Sequence, residues 1–194
     1  MTSRTFATLN PNAMGSGLAL DLGNLVVTTS QDSLGSASSS CCVFGTIPKA
    51  VGHAYFETYF YSTSRGDLSG LLSVGLAEVS ADLDQRVGDG LDTWGFRPAD
   101  GGIWNDGALI VSGDPIAERI CIGVCAQFDS PGGPRLTFFT DGSFYASVVM
   151  NVTSSGSPFY VPAIGIDLSV AGDVSAFVNF GQRAFDNQPH LVNS

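Results

Sequence analysis

Along much of the chain apolar and polar residues alternate with a period of two. Leu72, Val74 and Leu76 are separated by Ser73 and Gly75. Ile120, Ile122, Val124, Ala126 and Phe128 form one apolar face, with Cys121, Gly123, Cys125 and Gln127 on the other. Tyr160, Ile164, Ile166 and Leu168 repeat the pattern, as do Val174, Ala176, Val178 and Phe180. That period belongs to extended strands with one face turned to a core. The aromatic run from Tyr55 to Phe60 is too short for a helix, and Cys41 to Gly45 predicts another short strand. Gly23-Asn24, between Leu18–Leu22 and Leu25–Thr28, predicts a hairpin. Residues 30–40 predict a loop, residues 1–17 a lead-in anchored by Phe6 and Leu9, and residues 186–194 a polar tail. No stretch sustains a helical period with caps. The expected fold is all-β, two antiparallel sheets packed face to face. With no linker and no internal repeat, residues 1–194 form one domain.

Composition agrees. Hydrophobic residues make up 44% and charged residues 13%, enough apolar material for a packed core. The 24 glycines suit many tight turns. The net charge of −10, with Lys49 the only lysine among eight basic residues, argues against nucleic acid or an anionic membrane as partner. No apolar window reaches the roughly 18 residues of a membrane span. Met1 to Gly17 is polar and lacks the apolar run of a secretory signal, so synthesis in the cytoplasm is expected.

Candidate chemistry is sparse. His53 and His190 lie in no metal-ligand spacing. Glycosidases need two carboxyl groups flanking the scissile bond, and no alternation places two of Glu57, Glu78 and Glu118 on one strand face. No catalytic residue, cofactor or metal is therefore expected. The acidic run Asp82, Asp84, Asp89 and Asp92 reads as a solvated loop; a calcium cradle is the lesser reading, because Arg86 occupies the fifth position of the EF-hand register. Cys41 and Cys42, being adjacent, point to opposite faces. Cys121 and Cys125 share a face but lie about 13 Å apart at roughly 3.3 Å per residue. Reduced thiols are expected, with a bridge from Cys41 or Cys42 to Cys121 or Cys125 across neighbouring strands as the alternative. The Arg65-Gly66-Asp67 tripeptide and the Asn151-Val152-Thr153 sequon carry no further weight.

Several segments, taken in order, resemble the SPRY family. They are Tyr55-Phe56-Glu57, then Val74-Gly75-Leu76-Ala77, then Trp94-Gly95-Phe96 with Asp100-Gly101 and Asn105-Asp106-Gly107. Gly123-Val124 with Asp129 follows, then Leu136 to Gly142, Phe159 to Ala163, Asn179-Phe180-Gly181-Gln182 and Phe185. The resemblance runs from about residue 50 to residue 185 and implies a SPRY, concanavalin A-like jelly-roll sandwich with variable binding loops. It transfers no named partner.

Specificity is then expected in residues 82–92, 97–107 and 130–134. Within them Arg97, Asp100, Trp104, Asn105 and Asp106 are the candidate partner-binding residues, since an exposed Trp beside Arg and Asn has the chemistry of an interface hot spot. The competing reading packs Trp104 over its own sandwich edge. The leading functional expectation is a non-catalytic protein-binding module serving as a structural accessory of a virus particle: a phage capsid decoration, tail or fibre protein. Its partners would be other virion subunits or itself, and its location the virion. A cytosolic adaptor capturing a peptide is one alternative. Another is a lectin-like module that stacks carbohydrate on Trp94 or Trp104.

Overall fold

A computed structural model of the protein describes residues 6–29, 40–62, 72–116, 121–151, 159–168 and 174–186. Residues 65–67, 118, 152–153, 190 and most of the 30–40 segment lie outside them. The strands are β1 (Leu9–Met14), β2 (Leu18–Asp21), β3 (Val26–Thr29), β4 (Ser40–Gly45), β5 (His53–Ser62), β6 (Leu72–Glu78) and β7 (Thr93–Arg97). They continue as β8 (Gly102–Asn105), β9 (Ala108–Val111), β10 (Cys121–Gln127), β11 (Arg135–Thr140), β12 (Ser143–Val149), β13 (Tyr160–Asp167) and β14 (Val174–Asn179). No helix occurs among the described residues.

Two antiparallel sheets result. Sheet A runs β1-β4-β13-β6-β7-β8-β9, and sheet B runs β12-β11-β10-β5-β14-β3-β2. The period-two faces meet between them. Val43, Val74, Leu76, Phe96, Ile103 and Ile164 of sheet A pack with Phe56, Ile122, Val124, Phe138 and Val178 of sheet B in one buried cluster. At about 25 cal/mol per Å² of apolar area removed from water, this cluster is the main stabilising term. The all-β two-sheet expectation therefore holds.

Turn chemistry sets the register. At the β11–β12 hairpin Asp141 and Gly142 have φ of 46° and 78°, the left-handed pair that a two-residue turn with matching twist requires. Leu22, Gly23 and Asn24, at 49°, 68° and 64°, turn the chain between β2 and β3, where the hairpin was expected.

Three expectations change. The lead-in is not featureless, because residues 9–14 form β1, the edge strand beside β4. Asn10-Pro11-Asn12 hides it by breaking the alternation, and the β1–β4 register is irregular there. Residues 97–107 are not one loop: β8 lies within them, pointing Ile103 into the core. Cys41 and Cys42 sit on β4 in sheet A, whereas Cys121 and Cys125 sit on β10 in sheet B. The strands are not neighbours and all four buried thiols are free, which removes the suggested bridge. A Cβ at Gly95 would come within 2.2 Å of the Val87 carbonyl oxygen, so the glycine admits backbone.

That close approach explains why β6 and β7 are buried on both faces. Val87 inserts over the outer side of sheet A and joins a second apolar cluster with Cys42, Phe44, Ala77, Val161 and Ala163.

Candidate partner-binding surface

Arg97 ends β7 with its side chain on the outer side of sheet A, and the residue is 5% exposed. Its guanidinium donates to Asp89 Oδ1, while Asp89 Oδ2 takes the Arg86 Nε–H at 3.3 Å. One carboxylate thus holds two guanidiniums. Burial, and then the neighbouring Arg86 charge, lower the Arg97 pKa; Asp89 acts in the opposite direction. Arg97 Nε has no hydrogen-bond partner, so the Asp89 contact is its principal compensation.

Trp104, on β8, lies against this pair. The Arg97 guanidinium carbon sits 4.2 Å from the Trp104 ring centroid, a cation–π arrangement. The indole N–H donates to Asp100 Oδ2 at 3.1 Å, and Asp100 Oδ1 accepts the Gly102 N–H at 2.7 Å. Trp104 is therefore fixed at both its ring face and its polar edge. It is half-buried, which combines the two readings of this residue: it packs on its own sheet and still offers ring surface.

Beside it runs β9, the edge strand of sheet A opposite β1. Ile103 pairs with Val111 but Trp104 pairs with Leu109, which leaves Ile110 as an extra residue in a β-bulge. A strict alternation would expose only one of these neighbours. With the bulge, Leu109 and Ile110 are both about half exposed, at 49% and 51%. On the same side of the sandwich, β12 is the free edge of sheet B and exposes Phe144 at 66%. The Tyr145 hydroxyl joins the two sheets here by donating to the Gly101 carbonyl at 2.8 Å.

Of the five candidate residues, Arg97, Asp100 and Trp104 come together. Asn105 serves the scaffold, its side-chain amide donating to the Thr93 carbonyl at 2.9 Å. Asp106 is exposed at the β8–β9 turn with φ of 52° and, together with Asp82, Asp89, Leu91 and Asp92, lines a depression of about 480 Å³. Asp82 there accepts from the Asp84 N–H at 3.0 Å and from the Gln85 amide at 3.2 Å, so the acidic run is folded on itself. No group of three His, Cys, Asp or Glu among the described residues is arranged to hold a metal ion. In the 130–134 turn Gly132 and Gly133 have positive φ, and nearby Asp129 accepts the Gly52 N–H at 2.7 Å.

Leu109, Ile110 and Phe144 escaped the sequence reading. Ala108-Leu109-Ile110-Val111 is an uncharged run directly after the Asp106-Gly107 turn pair, and that signal could have exposed it. Trp94 is 3% exposed and packs edge-on to Tyr160 at 5.7 Å, which removes it as a stacking platform for carbohydrate.

The outer side of sheet B carries different chemistry. The Glu57 carboxyl group, fully buried, accepts from the Tyr55 hydroxyl at 3.2 Å, the Tyr59 hydroxyl at 2.8 Å and the Asp186 N–H at 3.1 Å. Burial first, and then the Glu57 carboxyl group, raise the Tyr55 pKa. The segment after β14 closes over this group. Asn179 Oδ1 accepts the Gly181 N–H at 3.0 Å, φ of 97° at Gly181 turns the chain off the sheet, and Phe185 stands edge-on to Tyr55 at 4.8 Å.

No protein-family model matches the sequence, and none of the curated proteins matches it. Solved structures do match the fold. A human SPRY domain superposes with a TM-score of 0.64 at 18% identity, over 87% of this chain and 98% of its own. The SPRY domain of human HERC1 gives 0.66 at 14% identity, over 91% and 99%. The TRIM65 PSpry domain gives 0.64 at 14% identity, over 90% of each chain. With the motifs in family order, two seven-stranded antiparallel sheets and this coverage, the chain has a SPRY-like β-sandwich fold.

Proposed function

We propose that the protein is a non-catalytic module that binds another protein through the β8–β9 side of sheet A. The observation that carries this reading is the prearranged Arg97–Trp104–Asp100 platform beside the exposed Leu109 and Ile110. Rigid aromatic and Arg anchors next to apolar surface supply most of the energy in protein interfaces, because little side-chain freedom remains to be lost on binding. Two features support the reading. The ring is already oriented by two partners, and the bulge turns two apolar side chains outward instead of one.

The test is affinity capture of partners on immobilised protein. A partner retained by the unaltered protein and by Val51→Ala, but lost with Trp104→Ala and Leu109→Asp, carries the reading. A partner captured equally by all four sinks it. Within this class the finer reading is an accessory of a virus particle, located in the virion. It is supported by the single lysine and by the exposed apolar edges β9 and β12, which suit repetitive contacts with virion subunits or copies of this chain. Electron microscopy of particles from the native source should find it in a symmetric array; protein free of particles counts against it. A carbohydrate partner rests on Trp104 alone, and silence on a glycan array disposes of it.

A further inference from the structure

At one end of the sandwich the two sheets part around a half-open cavity of about 350 Å³. Phe56 and Phe180 contribute one ring pair, with centroids 5.8 Å apart. Phe128 and Tyr160 contribute a second, stacked at 5.7 Å with 12° between planes. Phe6 lies at the rim, 40% exposed. The volume falls at the small end of the about 300–1,000 Å³ range of ligand pockets, and apolar walls with few polar groups are the composition of such sites.

Two observations narrow the occupant. The first is charge: Lys49, the only lysine in the chain, is the only charged residue among the described residues that line the cavity. In a protein of net charge −10, no aspartate or glutamate is among those described lining residues. The second is the backbone. Lys49 and Tyr160 exchange both main-chain hydrogen bonds, at 2.7 and 2.8 Å, and the Phe128 N–H donates to the Gly52 carbonyl at 2.9 Å. The strands that form the walls, β5, β6 and β13, are interior to their sheets. An added peptide strand needs a free sheet edge, and these three wall strands offer none. Phe56, Phe128 and Tyr160 form a buried floor, and Phe6, Ile47, Lys49 and Phe180 stand on its more open side.

We propose that the cavity binds a small amphipathic carboxylate, with its apolar body against Phe6, Ile47 and Phe180 over this floor and its carboxylate paired with Lys49. This goes beyond the protein-binding reading, and it uses none of the residues of the β8–β9 surface.

The experiment is calorimetric titration of the full chain with three probes that share one alkyl body: decanoate, decanol and decylammonium. Decanoate is expected to bind saturably at one site per chain, decanol more weakly, and decylammonium not at all. Lys49→Gln, at an exposed position where folding is not at stake, should weaken decanoate by roughly two- to fivefold, the scale of one exposed ion pair, and leave decanol unchanged. Trp104→Ala should leave decanoate binding intact, which separates this proposal from the protein-binding one. The proposal is overturned if decanoate fails to saturate in the low millimolar range, or if Lys49→Gln has no effect. It falls equally if decylammonium binds as well as decanoate. Equal binding of the uncharged N-acetylphenylalanine amide makes the cavity a side-chain pocket for a protein partner, and also overturns it.

Discussion

The two sheets solve the same problem on their outer sides with different chemistry. Each has residues there too apolar or too polar to leave open, and each is covered by a segment of its own chain. Over sheet A, Val87 is inserted by a loop anchored through the Asp89 carboxylate and two arginines. Over sheet B, the segment around Asp186 closes on the Glu57 carboxyl group through the Asp186 N–H, and the Tyr59 hydroxyl, on the same strand as Glu57, lies within hydrogen-bond reach of both carboxyl groups. The first cover is held by opposite charges, one of them 37% exposed. The second is held by donors converging on a fully buried acceptor, with an exposed Arg183–Asp186 ion pair at 3.6 Å beside it. The Asp89 carboxylate of the first cover lies where salt reaches it and leaves its neighbour Trp104 available at the surface; the Glu57 acceptor of the second lies out of that reach beneath a sealed face.

The largest effect should come from the sealed face. Glu57→Ala removes the shared acceptor of three donors, of which the Tyr59 hydroxyl keeps Asp186, and should lower unfolding free energy by about 3 kcal/mol in urea titration, with Glu57→Gln milder. A loss under about 1 kcal/mol would show that the cover of sheet B does not depend on this acceptor. Next comes the charged cover. Asp89→Asn leaves Arg97 buried without its counter-charge, and with allowance for the partly exposed carboxylate about 2 kcal/mol is expected. Raising salt should shrink that penalty and leave the Glu57 variants unmoved; equal salt responses would erase the contrast. Gly95→Ala forces the Val87 carbonyl away from β7 and should cost roughly 1–3 kcal/mol, with increased Trp104 fluorescence change as the loop lifts.

Alkaline pH affects both sides of the molecule. Burial pushes Cys125 up to about 11 and Cys41 up to about 12, from an ordinary thiol value of 9.0. The folded state therefore keeps protons that the unfolded state gives up. Stability is full below pH 9.0 and falls as pH rises through about 11 to 12. Urea midpoints at pH 8 and pH 10.5 check this, and Cys125→Ala should flatten the decline. The smallest stability effect belongs to Trp104→Ala, under about 1 kcal/mol because the ring is only half-buried, although it should abolish partner capture.

Strands β5, β6, β10, β13 and β14 were readable from sequence because each is long and turns one apolar face to the core. β8 and β9 were not, for they are four residues each, and Gly102 and the bulge at Ile110 interrupt the alternation. Gly95 on β7 and Gly165 on β13, the glycines that a backbone approaches, are plain in the sequence, yet nothing local pointed to Val87 as what approaches. The same limit applies to the surface. Arg97, Asp100 and Trp104 were legible as residue types, while Asp89, which holds Arg97 in place from a separate loop, is a product of tertiary folding.

The extra residue at Ile110 also bears on how concentrated this protein can become. A regular, uncharged strand at a sheet edge is a template on which further strands can stack, and four apolar residues in a row would make a good one. By breaking the register between Leu109 and Val111, the bulge denies an incoming strand any continuous ladder, while side chains remain free to meet a shaped surface. The edge is sticky to a complementary partner and poor as a seed for fibres. Deleting that one residue should trade recognition for aggregation.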